Sequence, residues 1–191
     1  MANDDVEIEI KVQLTLSEYA AIKERLSKIA KFVKTVDQSD EYFTPSNRNF
    51  LAEKYPYEWL SIRKRGVKNI LNYKHFYPER AEVHTHCDEF ETEVGDKSKL
   101  EKIFTALNIT SIVTVEKQRE VFLYGEDFEI ALDNVKELGY FIEIETIKNF
   151  GTVENARKAI YAFAAELGID ATNEDVRGYP FLLMDARKAR K

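Results

Sequence analysis

The sequence predicts an α+β protein: an eight-stranded antiparallel β-barrel, closed or nearly so, with a polar interior and helices packed outside. Three observations carry that expectation. Short alternating stretches rich in β-branched and aromatic residues fill most of the chain. Three segments repeat apolar residues at the helical spacing. The charged faces of the strands are sorted by sign, strand by strand, whereas a surface mixed for solubility would intersperse them.

In chain order, the first strand is VEIEIKVQL, Val6 to Leu14. Its Ile8, Ile10, Val12 and Leu14 lie opposite Glu7, Glu9 and Lys11. Ser17 is read as the N-cap of a helix carrying Ile22, Leu26 and Ile29. The strands DEYFT, EWLSIRKR, NILNYKHF and EFETEV follow, with the turn signal RGVKN between the second and third. A second helix follows Asp96, with Leu100, Ile103, Phe104 and Leu107 on one stripe. VTVEKQREVFLY, FEIALDNV and YFIEIETI then read as strands separated by YGED and ELG. The third helix follows Thr152, carries Ala156, Ile160, Phe163, Ala164 and Leu167, and stops at Gly168. One domain is expected over residues 1–185, with a solvated basic tail over 186–191.

Composition narrows the class. Of 191 residues, 44% are hydrophobic and 12% aromatic, enough to bury a sizeable core. The net charge of −6 disfavours nucleic acid as a partner. No apolar run approaches a membrane span, and the acidic start MANDDVEIE lacks the apolar core of a secretory signal. Cys87 is the single cysteine, so no internal disulfide can form. A cytoplasmic protein without a membrane partner is expected. HTHC offers zinc-ligand types in His84, His86 and Cys87, but no distant soft ligands complete a site, so a surface strand or loop is expected there. His75, beside Lys74, reads as structural or exposed. There is no Walker-type glycine loop and no Ser-His-Asp set.

Residues two apart on a strand share a face. Arg63 and Arg65 therefore lie with Ser61, Lys74 with Asn72, Glu89 with Glu91 and Glu93, Lys117 with Arg119, and Glu143 with Glu145, while Asp133 is the charge of its own strand. Any one such face, taken singly, would be wet surface. Taken together, period-2 pairs of one sign on successive strands describe a lined cavity, whose like charges need a ligand to be worth gathering. Converging Arg and Lys suit phosphate oxygens. Carboxylates in the same volume would repel phosphate unless hard divalent cations intervene. The residue types point to a metal complex of a polyphosphate.

These motifs resemble the CYTH superfamily, the triphosphate tunnel metalloenzymes. The E-x-E-x-K signature is matched by EIEIK, with Glu7, Glu9 and Lys11. QSDEYF is similar to the family's Q-x-D-x-Y-F, and WLSIRKR to its L-R-I-R. LNYKH with Lys74, VEKQR with Lys117 and Arg119, IALDNVKELG with Asp133, and FIEIE with Glu143 and Glu145 follow in order. The late RGYPFLL and the stretch SNRNF look like the class IV adenylyl cyclase branch. Two positions depart from the pattern: Ser61 replaces the first arginine of L-R-I-R, and Gly178 replaces the serine of the S-Y ending. The resemblance implies an eight-stranded tunnel that binds a triphosphate with Mg²⁺ or Mn²⁺. It implies that Arg63, Arg65, Lys74, Lys117 and Arg119 grip phosphate, and that Glu7, Glu9, Asp133, Glu143 and Glu145 hold the metal.

Known members of that superfamily make cyclic AMP from ATP, or hydrolyse thiamine triphosphate, inorganic triphosphate or nucleoside triphosphates. The same grip serves both reactions, so class IV adenylyl cyclase-like activity is expected first and triphosphate hydrolysis second. A binding module that no longer turns over is the third alternative; intact E-x-E pairs favour an enzyme. Lys11 and Tyr42 are the candidate catalytic residues. Lys11 would orient the nucleophile or neutralise charge, and Tyr42, with Phe43, Phe50 and Trp59, is a candidate for stacking on a base. Arg119→Ala is expected to lower turnover without unfolding the protein. A homodimer is compatible with the sequence.

Overall fold

A computed structural model describes residues 6–175 and 177–190. The strands are β1 (Val6–Glu7), β2 (Glu9–Leu14), β3 (Lys31–Pro45), β4 (Glu58–Arg65), β5 (Lys68–Tyr77), β6 (His86–Val94), β7 (Ile109–Tyr124), β8 (Phe128–Val135) and β9 (Gly139–Thr146). The helices are α1 (Leu16–Ile29), α2 (Lys97–Ala106), α3 (Val153–Glu166) and α4 (Tyr179–Ala189), with a short 3₁₀ turn at Ala171–Asn173. The strands form one sheet in the order β1-β6-β5-β4-β3-β7-β8-β9-β2. Ile8 alone separates β1 from β2, the two ends of that order, so the sheet returns on itself as a β-barrel. The α+β barrel class is the expected one. The ninth strand arises because the first expected strand is interrupted at Ile8.

The chain divides into two compact units, residues 1–36 with 117–176 and residues 37–116 with 177–191. In the first unit, β8 pairs antiparallel with β7 and β9, and β9 pairs with β2. Alternation gives this sheet two unlike faces. One carries Ile10, Val12, Leu14, Ile130, Leu132, Ile142 and Ile144, all buried against Ile22 and Leu26 of α1 and Ile160, Phe163 and Ala164 of α3. The other carries the charges. In the second unit, β4 pairs with β3 and β5, and β5 with β6. Phe43, Ile62 and Phe104 form a small core there, flanked by Leu60, Leu71 and Leu100.

The helix ends follow local chemistry. The cap of α1 is Thr15, two residues before the expected Ser17, because Thr15 and Glu18 form a reciprocal capping box. Asp96 and Thr152 cap α2 and α3 as expected. Of the α2 stripe, Phe104 is buried and Leu100 packs beside it, but Ile103 and Leu107 are exposed. Helix α4 was not read from the sequence; a proline in its first turn and Arg187 and Lys188 in its last suit a helix. It continues through Ala189, so residues 186–189 of the expected tail are helical. No described helix is long and apolar enough to cross a membrane.

Candidate functional site

In the first unit, register sets the charges. Glu9 stands opposite Glu145, and Lys11 opposite Glu143, in the β2–β9 ladder. Arg119 stands opposite Asp133 in the β7–β8 ladder. Far from being wet surface, Lys11, Lys117, Asp133 and Glu143 are buried, Asp133 completely.

Two groupings separate the five candidate metal carboxylates. Glu7, Glu9 and Glu145 each present an oxygen, all within 4.8 Å of one another. Three hard oxygen donors at this spacing fit a divalent cation such as Mg²⁺ or Mn²⁺. Asp133 and Glu143 lie among basic side chains. Arg119 donates from Nε to Asp133 Oδ1 at 2.8 Å and from Nη2 to Oδ2 at 2.6 Å, and it also pairs with Glu143. Lys117 donates to Asp133 Oδ2 at 2.9 Å, and Lys11 Nζ lies 3.3 Å from Glu143. Burial would raise the Asp133 pKa, but the charges of Arg119 and Lys117 prevail and hold it below the ordinary aspartate value.

The β2 strand that carries Glu9 and Lys11 is fixed along its length. Glu174 bridges to Val12, and the Asp175 amide donates to the Lys11 carbonyl at 2.7 Å. The Glu174 carboxylate is held in turn by Arg157 and by the Tyr161 hydroxyl, both of α3. On the helix-covered face, Tyr19 and Lys23 of α1 donate to Glu120, which ties α1 to β7.

The second unit has its own charged face on β3 to β6. Arg65 donates from Nη1 and Nη2 to the two oxygens of Asp40 at 2.5 and 3.1 Å. Arg63 donates to Glu89 at 2.9 Å and to Glu91 at 2.7 Å, and Lys74 lies 3.5 Å from Glu89. Asn72 donates to the same two glutamates. Period 2 could not say which of Glu89, Glu91 and Glu93 joins this cluster; the first two do, while Glu93 pairs with exposed Lys68. Ser61 and Asn72 are wholly buried side by side. Asp40 is a site residue that went unassigned; its signal was the period-2 spacing from Tyr42 within QSDEYF.

Tyr42 is buried edge-on to Trp59, 5.8 Å between ring centroids. Phe43 packs on Phe104, and Phe50 on Tyr73. Neighbours on β6, His86 and Cys87 point to opposite faces, with Cys87 buried and His86 stacked on Tyr77.

Antiparallel strands whose apolar face is covered by helices and whose other face gathers paired acidic and basic side chains define the class of protein, and its relatives give that class a family. The model of the CYTH domain matches residues 5–179, so the chain belongs to the CYTH domain family. A provisionally named adenylate cyclase of Methanocaldococcus jannaschii is 32% identical over 139 residues, 72% of this chain and 76% of that protein. A protein of Pyrococcus horikoshii OT3 superposes with a TM-score of 0.78 at 26% identity, covering 94% of this chain and 98% of its own. A provisionally named adenylyl cyclase of Hippeastrum, described as revealing a dominant triphosphatase activity, shares the fold with a TM-score of 0.64 at 17% identity, covering 96% of this chain and 95% of its own.

Proposed function

We propose that the protein is a divalent-metal-dependent enzyme acting on a triphosphate, with ATP cyclised to cyclic AMP and pyrophosphate as its reaction. One observation carries this: half-buried Glu7, Glu9 and Glu145 are spaced for a hard cation, and Glu9 and Glu145 share a sheet face with Lys11, Lys117 and Arg119. The name borne by the Methanocaldococcus jannaschii relative supports the cyclase assignment.

Glu7, Glu9 and Glu145 would hold Mg²⁺ or Mn²⁺. When bound, that ion supplies charge neutralisation and orientation at phosphate oxygens. Lys117 and Arg119 bind phosphate oxygens through charge-assisted hydrogen bonds, and Arg63, Arg65 and Lys74 are the further phosphate ligands. The substrate 3′-hydroxyl oxygen attacks the α-phosphorus and gives its proton to solvent, and the bond from the α-phosphorus to the bridging oxygen of the β-phosphate breaks to release pyrophosphate. Lys11 sits beside Glu143 and stabilises the anionic oxygens as charge shifts to the leaving group. Asp133 and Glu143 keep the cations aligned.

Hydrolysis of inorganic triphosphate, thiamine triphosphate or a nucleoside triphosphate is the second reading. It is favoured by the burial of Tyr42, Phe43, Phe50 and Trp59 in packing contacts, which leaves none of them as an open stacking platform. Incubation with Mg²⁺ or Mn²⁺ and each of ATP, inorganic triphosphate and thiamine triphosphate, with the products resolved, decides. Cyclic AMP with pyrophosphate establishes the cyclase, and orthophosphate establishes the hydrolase. Tight binding without turnover of any substrate would overturn the enzyme in favour of a binding module. We propose a cytoplasmic location, a single functional domain over residues 1–185 and, as the assembly to test by light scattering, a homodimer.

A further inference from the structure

We infer that Glu89 is a displaceable counter-ion on Arg63 and Lys74, one that phosphate must expel and that therefore sets the affinity of these cations for phosphate. The inference rests on Arg63 and Lys74 being phosphate ligands, as proposed above.

The argument comes from the arginines. Arg119 meets Asp133 with two nitrogens on two oxygens, and Arg65 meets Asp40 the same way. Both are matched forks, the geometry in which guanidinium and carboxylate bind most strongly. Arg63 is different. Both of its bonds leave from Nη1, one to Glu89 Oε1 and one to Glu91 Oε1, while its Nε is buried without a hydrogen-bond partner. The fork is unfilled, and a buried donor left unsatisfied costs free energy that a better-placed acceptor recovers.

Glu89 is equally stretched. Its Oε1 accepts from Arg63 at 2.9 Å and from Asn72 at 2.6 Å, and lies 3.5 Å from Lys74 Nζ. A phosphate group presents several oxygens in a tetrahedron and can satisfy Arg63 Nε, Arg63 Nη1 and Lys74 separately. Replacing Glu89 at these cations therefore improves their geometry, whereas replacing Asp40 at Arg65 would break a matched fork. Asn72 remains to receive the displaced carboxylate, since its Nδ2 also donates to Glu91 at 3.1 Å.

Charge makes the exchange decisive. On this face Arg63 and Lys74 are balanced by Glu89 and Glu91, and Ser61 stands where a further arginine would have tipped the balance to positive. With these two cations matched by two carboxylates, phosphate binds here by displacing one of them.

The experiment is calorimetric titration of metal-free protein with inorganic tripolyphosphate, for the wild type, Glu89→Gln and Arg63→Ala. Expected are weaker binding by Arg63→Ala and binding by Glu89→Gln that is tighter by about tenfold, the order of one like-charge repulsion removed near a protein surface. Unchanged or weaker binding by Glu89→Gln, with Arg63→Ala weakened, would overturn the counter-ion and make Glu89 a residue that orients Arg63. Wild-type-like binding by Arg63→Ala would instead remove the phosphate-ligand assignment and the inference with it. Should Glu89→Gln fail to fold, the more exposed Glu91→Gln is expected to tighten binding by a smaller factor, and no tightening would overturn the proposal.

Discussion

Asp133 is fully enclosed, yet it carries Lys117 and both nitrogens of the Arg119 fork. Its depressed pKa means that its ion pairs stabilise the fold at pH values above the unfolded aspartate value, about 3.9. That contribution is lost as pH falls through the lower folded value. Asp133→Asn should therefore cost about 3 kcal/mol at pH 7, the order expected when one partner of a buried pair is removed. Urea unfolding checks this: the deficit relative to wild type should shrink as the pH is taken well below 3.9, and an unchanged deficit would count against the account. The same geometry revises the expectation for Arg119. Removing it by alanine uncovers Asp133 and Glu143, so stability falls together with turnover. Arg119→Lys keeps the charge and loses the fork, and should lower turnover with a smaller stability loss. The face on which these residues lie was legible from period 2; their partners were not, because a residue's neighbour across a ladder depends on register, which no single strand encodes.

At the scale of the element, the alternating strands were legible because one face of each is apolar, and the helices because their apolar stripes are regular. The misreadings have local causes. Thr15 and Ser17 are equally good capping types, but only Thr15 has a glutamate three residues on. Thr15→Ala should destabilise by about 1 kcal/mol in chemical denaturation, while Ser17→Ala should change little. The first third of β3 escaped because Lys31 to Thr35 is exposed on both faces, which erases alternation. The attachment of Glu174 to β2 escaped because it joins residues 12 and 174. Glu174→Ala leaves Arg157 partly buried without its carboxylate and should cost about 2 kcal/mol by urea unfolding, the range for a hydrogen bond to a charged group. A loss below about 0.5 kcal/mol would mean the pair behaves as an exposed surface ion pair.

For the whole molecule, sorting by sign was the informative feature of the sequence, since it located the charged face before any contact was known. It could not divide that face into the carboxylates gathered at one point and those spread along it. The division has a thermodynamic consequence. Glu9 and Glu145, from opposite ends of the chain, face each other in the β2–β9 ladder, with Glu7 beside them. Like charges directly opposite on antiparallel strands are destabilising by up to about 1 kcal/mol. Without a cation, Glu9→Gln should therefore leave the fold as stable as wild type or slightly more so. With Mn²⁺ the order should reverse. A ligand that binds only the folded state stabilises it by about 2.7 kcal/mol at a concentration one hundred times its dissociation constant. Wild type should gain thermal stability on that scale, and Glu9→Gln or Glu145→Gln should gain much less. Lys68→Gln removes the exposed partner of Glu93, which is not one of the three carboxylates, and should retain the full gain. Thermal unfolding in chelator and in excess Mn²⁺ measures all four proteins without any assay of turnover. An equal Mn²⁺ shift in wild type and Glu9→Gln would remove the metal from Glu7, Glu9 and Glu145, and the proposed enzyme would lose the observation on which it rests.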